Sequence, residues 1–258
     1  MNRIEKLFKS KRKDILSVFF TAGFPTLNDT VLISQQLEKA GVDLIEIGIP
    51  FSDPIADGPI IQQSNKVALD NGMTLKLLLE QVREIRKTVN LPIILMGYLN
   101  PVLQYGMEKF CTEASASGVD GLILPDLPLE EFISEYQKFL DSLNLYTTFL
   151  ISPTTSAARI RILDEVSKGF IYAVSSSSTT GTKSHFTDDQ IRYFNKLKSM
   201  TLKNPFLIGF GIANHETYAQ ACQVGAGAII GSAFINVLKD SRDLKADINQ
   251  FIQSVRMH

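Results

Sequence analysis

Short apolar runs alternate with amphipathic stretches from one end of the chain to the other. The runs at 16–22, 44–49, 93–97, 121–124, 146–151, 170–174, 206–209 and 228–231 have strand length and are rich in Ile, Leu, Val and Phe. Between them, apolar positions recur at helical spacing over 30–40, 75–88, 107–117, 130–140, 157–166, 187–198 and 215–223, and a further amphipathic stretch covers 244–257. Gly41, Gly118 and Gly225 each stand between a helical stretch and the next strand, where a left-handed helix cap is expected.

Eight strand–helix units without a linker, a low-complexity tract or a shift in composition predict one domain over 1–258, of the α/β class. Parallel strands joined by helices close most naturally into a (β/α)8 barrel of the TIM type with additional short helices. An open doubly wound sheet is the alternative, but the first strand lacks the Gly-x-Gly-x-x-Gly turn of its dinucleotide-binding form. The length of 258 residues, 45% of them hydrophobic, suits one barrel.

With 26 Lys and Arg against 27 Asp and Glu, no field is left to attract nucleic acid or an anionic membrane. The basic cluster Lys6, Lys9, Lys11, Arg12 and Lys13 reads as solvated surface. The apolar run at 15–22 is short and lacks a signal-peptide cleavage pattern, and no run has membrane-spanning length. Cys111 and Cys222 lie far apart on helical stretches, as expected of thiols in a reduced, cytoplasmic protein.

The second strand carries the chemistry. In a parallel strand covered on both faces, Ile45, Ile47 and Ile49 share one side and Leu44, Glu46 and Gly48 the other. Glu46 is then an acid inside the protein, with Asp57 in the following loop able to fold back over it. Catalysis accounts for such an acid when no cation partner is evident; a structural pairing with a core cation is the alternative. Three long loops, 51–63, 98–106 and 175–185, leave the C-terminal ends of strands, the face on which barrels place their chemistry. Gly209 and Gly211 after the seventh strand, and Gly231 and Ser232 after the eighth, suit a phosphate cradle of backbone amides, with Thr180 and Gly181 able to close from the sixth loop.

Other chemistries find no support. No lysine lies within a predicted strand, as a Schiff-base enzyme would need. His185, His215 and His258 sit on a loop, at a helix start and at the terminus, without metal-ligand spacing or a nucleophile beside them. What remains is acid–base chemistry by two carboxylates on a phosphorylated substrate that serves as its own electron sink.

The run Ile45-Glu46-Ile47-Gly48-Ile49-Pro50-Phe51-Ser52-Asp53-Pro54-Ile55-Ala56-Asp57-Gly58-Pro59 closely resembles the signature of the tryptophan synthase α-chain family. Phe19-Phe20-Thr21-Ala22-Gly23-Phe24-Pro25, Met96-Gly97-Tyr98-Leu99-Asn100-Pro101, Pro125-Asp126-Leu127-Pro128 and Gly209-Phe210-Gly211-Ile212 resemble the same family in the same order. The resemblance implies retro-aldol cleavage of indole-3-glycerol phosphate to indole and glyceraldehyde 3-phosphate. It implies Glu46 as acid–base and Asp57 as acceptor of the indole N–H. Phe19 and Phe210 would line the indole pocket, and Thr180 would link the lid to the acidic loop. Gly181, Gly211, Gly231 and Ser232 would bind phosphate. Tyr172 matches a tyrosine beside the catalytic glutamate, although a strand tyrosine can equally serve packing.

The resemblance also implies a pyridoxal phosphate-dependent β chain as partner in an αββα heterotetramer, met through Pro50, Asp53, Asn100, Asp126 and Pro128. No cofactor or metal is then expected in this chain. Ser176 and Ser178 depart from the arginine and glycine of many relatives, which bears on the closed form of the lid. A stand-alone lyase releasing indole, or a non-catalytic barrel that binds a phosphorylated ligand and regulates a partner, are the alternative readings.

Overall fold

The computed structural model describes residues 1–175 and 186–256. Nine parallel strands form one sheet: β1 (Ile15–Thr21), β2 (Leu44–Gly48), β3 (Ile93–Met96), β4 (Gly121–Ile123), β5 (Tyr146–Thr147), β6 (Leu150–Ile151), β7 (Ile171–Val174), β8 (Phe206–Gly209) and β9 (Gly227–Ile230). Their order is β5-β4-β3-β2-β1-β9-β8-β7-β6. The two ends of that order are successive halves of the strand expected at 146–151, so the chain closes the sheet on itself. β5 pairs with β4 through Gly121 and Leu122, and β6 pairs with β7 through Tyr172 and Ala173. Across the break the Thr148 N–H still donates to the Leu122 carbonyl (3.1 Å), while the Phe149 carbonyl accepts the Tyr172 N–H (3.0 Å). The strand thus changes partners in mid-course, and the result is the expected eight-position barrel.

Helices α1 (Arg3–Ser10), α2 (Asp29–Lys39), α3 (Pro59–Asp70), α4 (Leu75–Ile85), α5 (Leu99–Tyr105), α6 (Met107–Ser117), α7 (Leu129–Glu131), α8 (Gln137–Ser142), α9 (Ala157–Val166), α10 (Asp188–Ser199), α11 (His215–Val224), α12 (Ser232–Asp240) and α13 (Leu244–Arg256) surround it. A π-helical turn, Phe132–Tyr136, joins α7 to α8, so the helix expected at 130–140 is built in three pieces. Two expected loops are shorter than the sequence pattern implied. Pro59 opens α3 at a position where its missing N–H costs nothing, and α5 fills most of 98–106.

Lys6, Lys9, Arg12 and Lys13 are exposed, as expected, and Lys11 is half-buried, but the helix at the start of the chain has an apolar face as well. Ile4, Leu7 and Phe8 of α1 pack into the interior cluster of the barrel, with Phe8 stacked on Phe170 at 5.6 Å. The Asn2 amide donates to the carbonyls of Asp120 and Asn144 at 2.8 Å each, and Asp120 takes ion pairs from Arg3 and Arg86. Lys11 pairs with Asp43 at 2.7 Å. This helix therefore plugs the end of the barrel opposite the strands' C-termini. Gly41 (φ +87°) and Gly118 (φ +96°) are the left-handed caps expected, but Gly225 is extended at φ −114°. A Cβ at Gly225 would stand 3.0 Å from the Phe206 carbonyl oxygen, so the glycine there serves close approach.

Side-chain alternation sorts the strands into two layers. Ile45, Ile47 and Ile49 join the large cluster between strands and helices, while Leu44 joins Ile15, Ile94, Ile123, Phe170, Leu207 and Ile229 inside the barrel.

Candidate active site

Glu46 shares the inward face of β2 with Leu44 and is fully buried. The Ser17 hydroxyl, on β1, donates to its Oε1 at 2.6 Å. Among the described residues, Oε2 has no hydrogen-bond partner. Burial pushes the carboxyl up to about 7, against a smaller downward pull from the Ser17 hydrogen bond.

Phe19 lies opposite Glu46 in the β1–β2 register. Its ring passes so close to Gly48 that a Cβ there would come within 2.7 Å, and it lies 3.5 Å from where a Cβ of Gly231 would be. The ring thus spans the mouth from β2 to the end of β9. Above it is a cleft of about 360 Å³, counted to its open mouth, lined by Phe19, Ile49, Asp57, Asn65, Met96 and Tyr98 among others.

Asp57 reaches this cleft from the loop after β2 and is half-buried. Burial pushes its carboxyl up to about 6, with the Tyr98 hydroxyl acting in the opposite direction. Tyr98 also accepts the Ala56 N–H at 3.0 Å and packs on Phe51 with ring centroids 5.1 Å apart. The acidic loop is therefore pinned to the start of α5.

Tyr172, on β7, is 5% exposed and meets Phe210 edge-on at 6.2 Å. A Cβ at Gly209 would fall 2.3 Å from its hydroxyl, which explains the glycine. Burial, and then the charges of Glu46 and Asp57, hold that hydroxyl well above its ordinary value, so the tyrosine feels both acids.

The rim opposite is built by the ends of β8 and β9. Phe210 (φ +67°) and Gly211 (φ +75°) are both left-handed, a conformation that strains a bulky side chain. Ser175 holds this turn: its hydroxyl donates to the Phe210 carbonyl at 2.6 Å and its N–H to the Gly209 carbonyl at 3.0 Å. Gly231 caps α12, and Ser232 is that helix's first residue, so the open N–H groups of its first turn lie at the same rim. Thr180, Gly181, Ser176, Ser178 and His185 lie outside the described residues.

Asp53, Asn100, Asp126 and Pro128 are exposed around the mouth, and Asp126 accepts the Leu99 N–H with both oxygens (2.9 and 3.0 Å). Pro50 is buried at the end of β2 and is not a surface position. His215 places Nδ1 2.9 Å from the Val255 carbonyl, an interaction with α13. Among the described residues no group of three potential metal ligands occurs, and both cysteines are free thiols.

Sequence reasoning missed Ser17, Ser175, Tyr98 and Asn65. Ser17 was within its reach, because the two-residue period that turns Phe19 inward turns Ser17 inward as well. Ser175 acts through a tertiary contact with the turn after β8, and Asn65 lines the cleft from α3; no spacing announces either.

The fold and this mouth define a (β/α)8-barrel enzyme with its acids at the C-terminal ends of the strands. The model of the tryptophan synthase alpha chain family matches residues 5–258. The tryptophan synthase alpha chain of Flavobacterium psychrophilum is 53% identical over 255 residues, covering 99% of this chain and 100% of that protein. The crystal structure of tryptophan synthase subunit alpha from Legionella pneumophila matches with a TM-score of 0.90 at 38% identity, over 99% of this chain and 97% of that one. A Mycobacterium tuberculosis tryptophan synthase structure matches with a TM-score of 0.89 at 30% identity, over 100% and 99%. The chain belongs to the tryptophan synthase alpha chain family. Its reaction is the carbon–carbon lyase step that cleaves indole-3-glycerol phosphate to indole and glyceraldehyde 3-phosphate.

Proposed function

We propose that Glu46 is the acid–base residue of this cleavage. Protonated Glu46 delivers its proton to C3 of the indole, and the ring becomes the electron sink. The side-chain hydroxyl of the substrate then returns a proton to Glu46 as the C–C bond breaks and the aldehyde forms. Asp57 accepts a hydrogen bond from the indole N–H, which strengthens as positive charge develops there. Phe19 and Phe210 flank the ring, Tyr172 orients the glutamate, and Thr180 links the lid to the acidic loop. The observation that carries this reading is a fully buried acid with no cation beside it among the described residues, which burial pushes up to about 7.

The phosphate sits at Gly211, Gly231 and Ser232, with Gly181 closing over it, where backbone amides and the start of α12 supply the donors. Gly211→Val should weaken substrate and glycerol phosphate together by about tenfold or more, since a β-branched residue at φ +75° would distort the cradle. Titration calorimetry with glycerol phosphate checks this, and unchanged affinity contradicts the site.

The chain acts as one domain over 1–258 and hands indole to a β chain in an αββα complex, through the surface bearing Asp53, Asn100, Asp126 and Pro128. Pyridoxal phosphate belongs to that partner, and this chain works without a cofactor of its own. Among the described residues no helix is long and apolar enough to cross a membrane, in keeping with a cytoplasmic enzyme. Indole release from indole-3-glycerol phosphate, assayed with and without a β chain, should rise when the partner is added. Strong turnover that the partner leaves unaltered would favour a stand-alone lyase instead.

A further inference from the structure

We propose that Ser17 is a positioning residue for Glu46: its hydroxyl anchors Oε1 and leaves Oε2 as the oxygen that carries and delivers the proton. This rests on the reading of Glu46 as the acid of the reaction. Both side chains are fully buried, and the 2.6 Å hydrogen bond between them is the one that the Ser17 hydroxyl makes among the described residues. A serine set into the apolar interior of a barrel strand would otherwise leave a polar group without a partner, a cost of roughly 1–3 kcal/mol.

The pairing is also chemically selective. An ionised carboxylate needs several donors, and among the described residues Glu46 has one. The titratable group on β7, Tyr172, is itself an acid, and it feels the charges of Glu46 and of Asp57 from the loop after β2. The interior residues from β3, β4, β8 and β9 are Ile94, Ile123, Leu207 and Ile229, which offer neither a donor nor a charge. The species that fits is the neutral acid, with Oε1 as its accepting carbonyl and the hydrogen on Oε2. Ser17 decides which oxygen plays which part. Because no described residue holds Oε2, it can turn toward the cleft without first breaking a bond to any of them.

The test uses the full-length enzyme and the variants Ser17→Ala, Ser17→Thr and Ser17→Cys. Glu46 is titrated without substrate through its carboxyl band in difference infrared spectra, identified by its loss in Glu46→Gln. The pH profiles of kcat and KM are measured alongside. Ser17→Ala should raise the titration of Glu46, and with it the basic limb of kcat, by about one pH unit, the scale of one hydrogen bond to a charged group. KM should change little. Ser17→Thr should restore the native titration, and Ser17→Cys, a weaker donor, should move it part of the way. A titration that stays put in Ser17→Ala, or that Thr fails to restore, overturns the proposal and leaves Ser17 as packing. Activity retained in Glu46→Gln would instead overturn the acid role, while the infrared titration still reads the Ser17 contact.

Discussion

Replacing Glu46 with Gln should lower the rate of indole release by roughly 10²–10⁴-fold, the range for loss of a positioned acid–base. Affinity for the phosphorylated substrate should survive, because the phosphate rim proposed at Gly211, Gly231 and Ser232 is built by other strands. Glutamine keeps the volume of the side chain and can still accept the Ser17 hydroxyl, so the barrel interior need not repack. It cannot donate a proton that its environment would allow to leave. Single-turnover kinetics with the purified chain separates the two effects, and a rate within tenfold of the native one contradicts the assignment (a tenfold loss is about 1.4 kcal/mol of barrier).

The same substitution has a signature in stability. Burial raises the Glu46 carboxyl from an ordinary 4.5 to about 7. A group raised in the folded state contributes stability that is fully present below its unfolded value and is lost as pH rises through its folded value. The contribution is of order 3 kcal/mol. Between about pH 5 and pH 8 the native melting temperature should therefore fall by several degrees relative to that of Glu46→Gln. Parallel melting curves would mean that Glu46 ionises as freely in the folded barrel as in the unfolded chain.

The parts of the fold that could be read in advance are those in which one local period decides the outcome. β2 is the clearest case: alternation alone places Ile45, Ile47 and Ile49 under the helices and Glu46 in the barrel, and the structure agrees. Helix α1 was hidden because its apolar face is only Ile4, Leu7 and Phe8 among basic residues, a stripe that acquires meaning once a barrel exists to be plugged. The break between β5 and β6 depends on which neighbour offers carbonyls at Leu122 and which offers amides at Tyr172, and neither is a property of residues 146–151 themselves. The acids announced themselves through their strand and loop. The groups that tune them, Ser17 and Tyr98, come from the neighbouring strand β1 and from the end of β3, and only the pairing of these strands with β2 brings them into contact.

Asp57→Asn should reduce turnover by about 10–100-fold, the weight of one hydrogen bond to a charged acceptor that matters most in the transition state. Asparagine preserves the shape of the loop and can still meet Tyr98, but its oxygen bears no charge to answer the cation developing on the indole ring. The pH profile identifies the cause. Asp57 is held up to about 6 and Glu46 up to about 7, so the competent form, with Asp57 ionised and Glu46 protonated, is most populated between these values. The native enzyme should therefore show a bell, rising as Asp57 loses its proton and falling as Glu46 loses its own; the two limbs belong to the pair where the acids interact. In Asp57→Asn the acidic limb should vanish and the basic limb remain. An acidic limb that persists in the variant assigns that ionisation elsewhere, and a near-native rate removes Asp57 from the chemistry and leaves it as a pin for the loop against Tyr98.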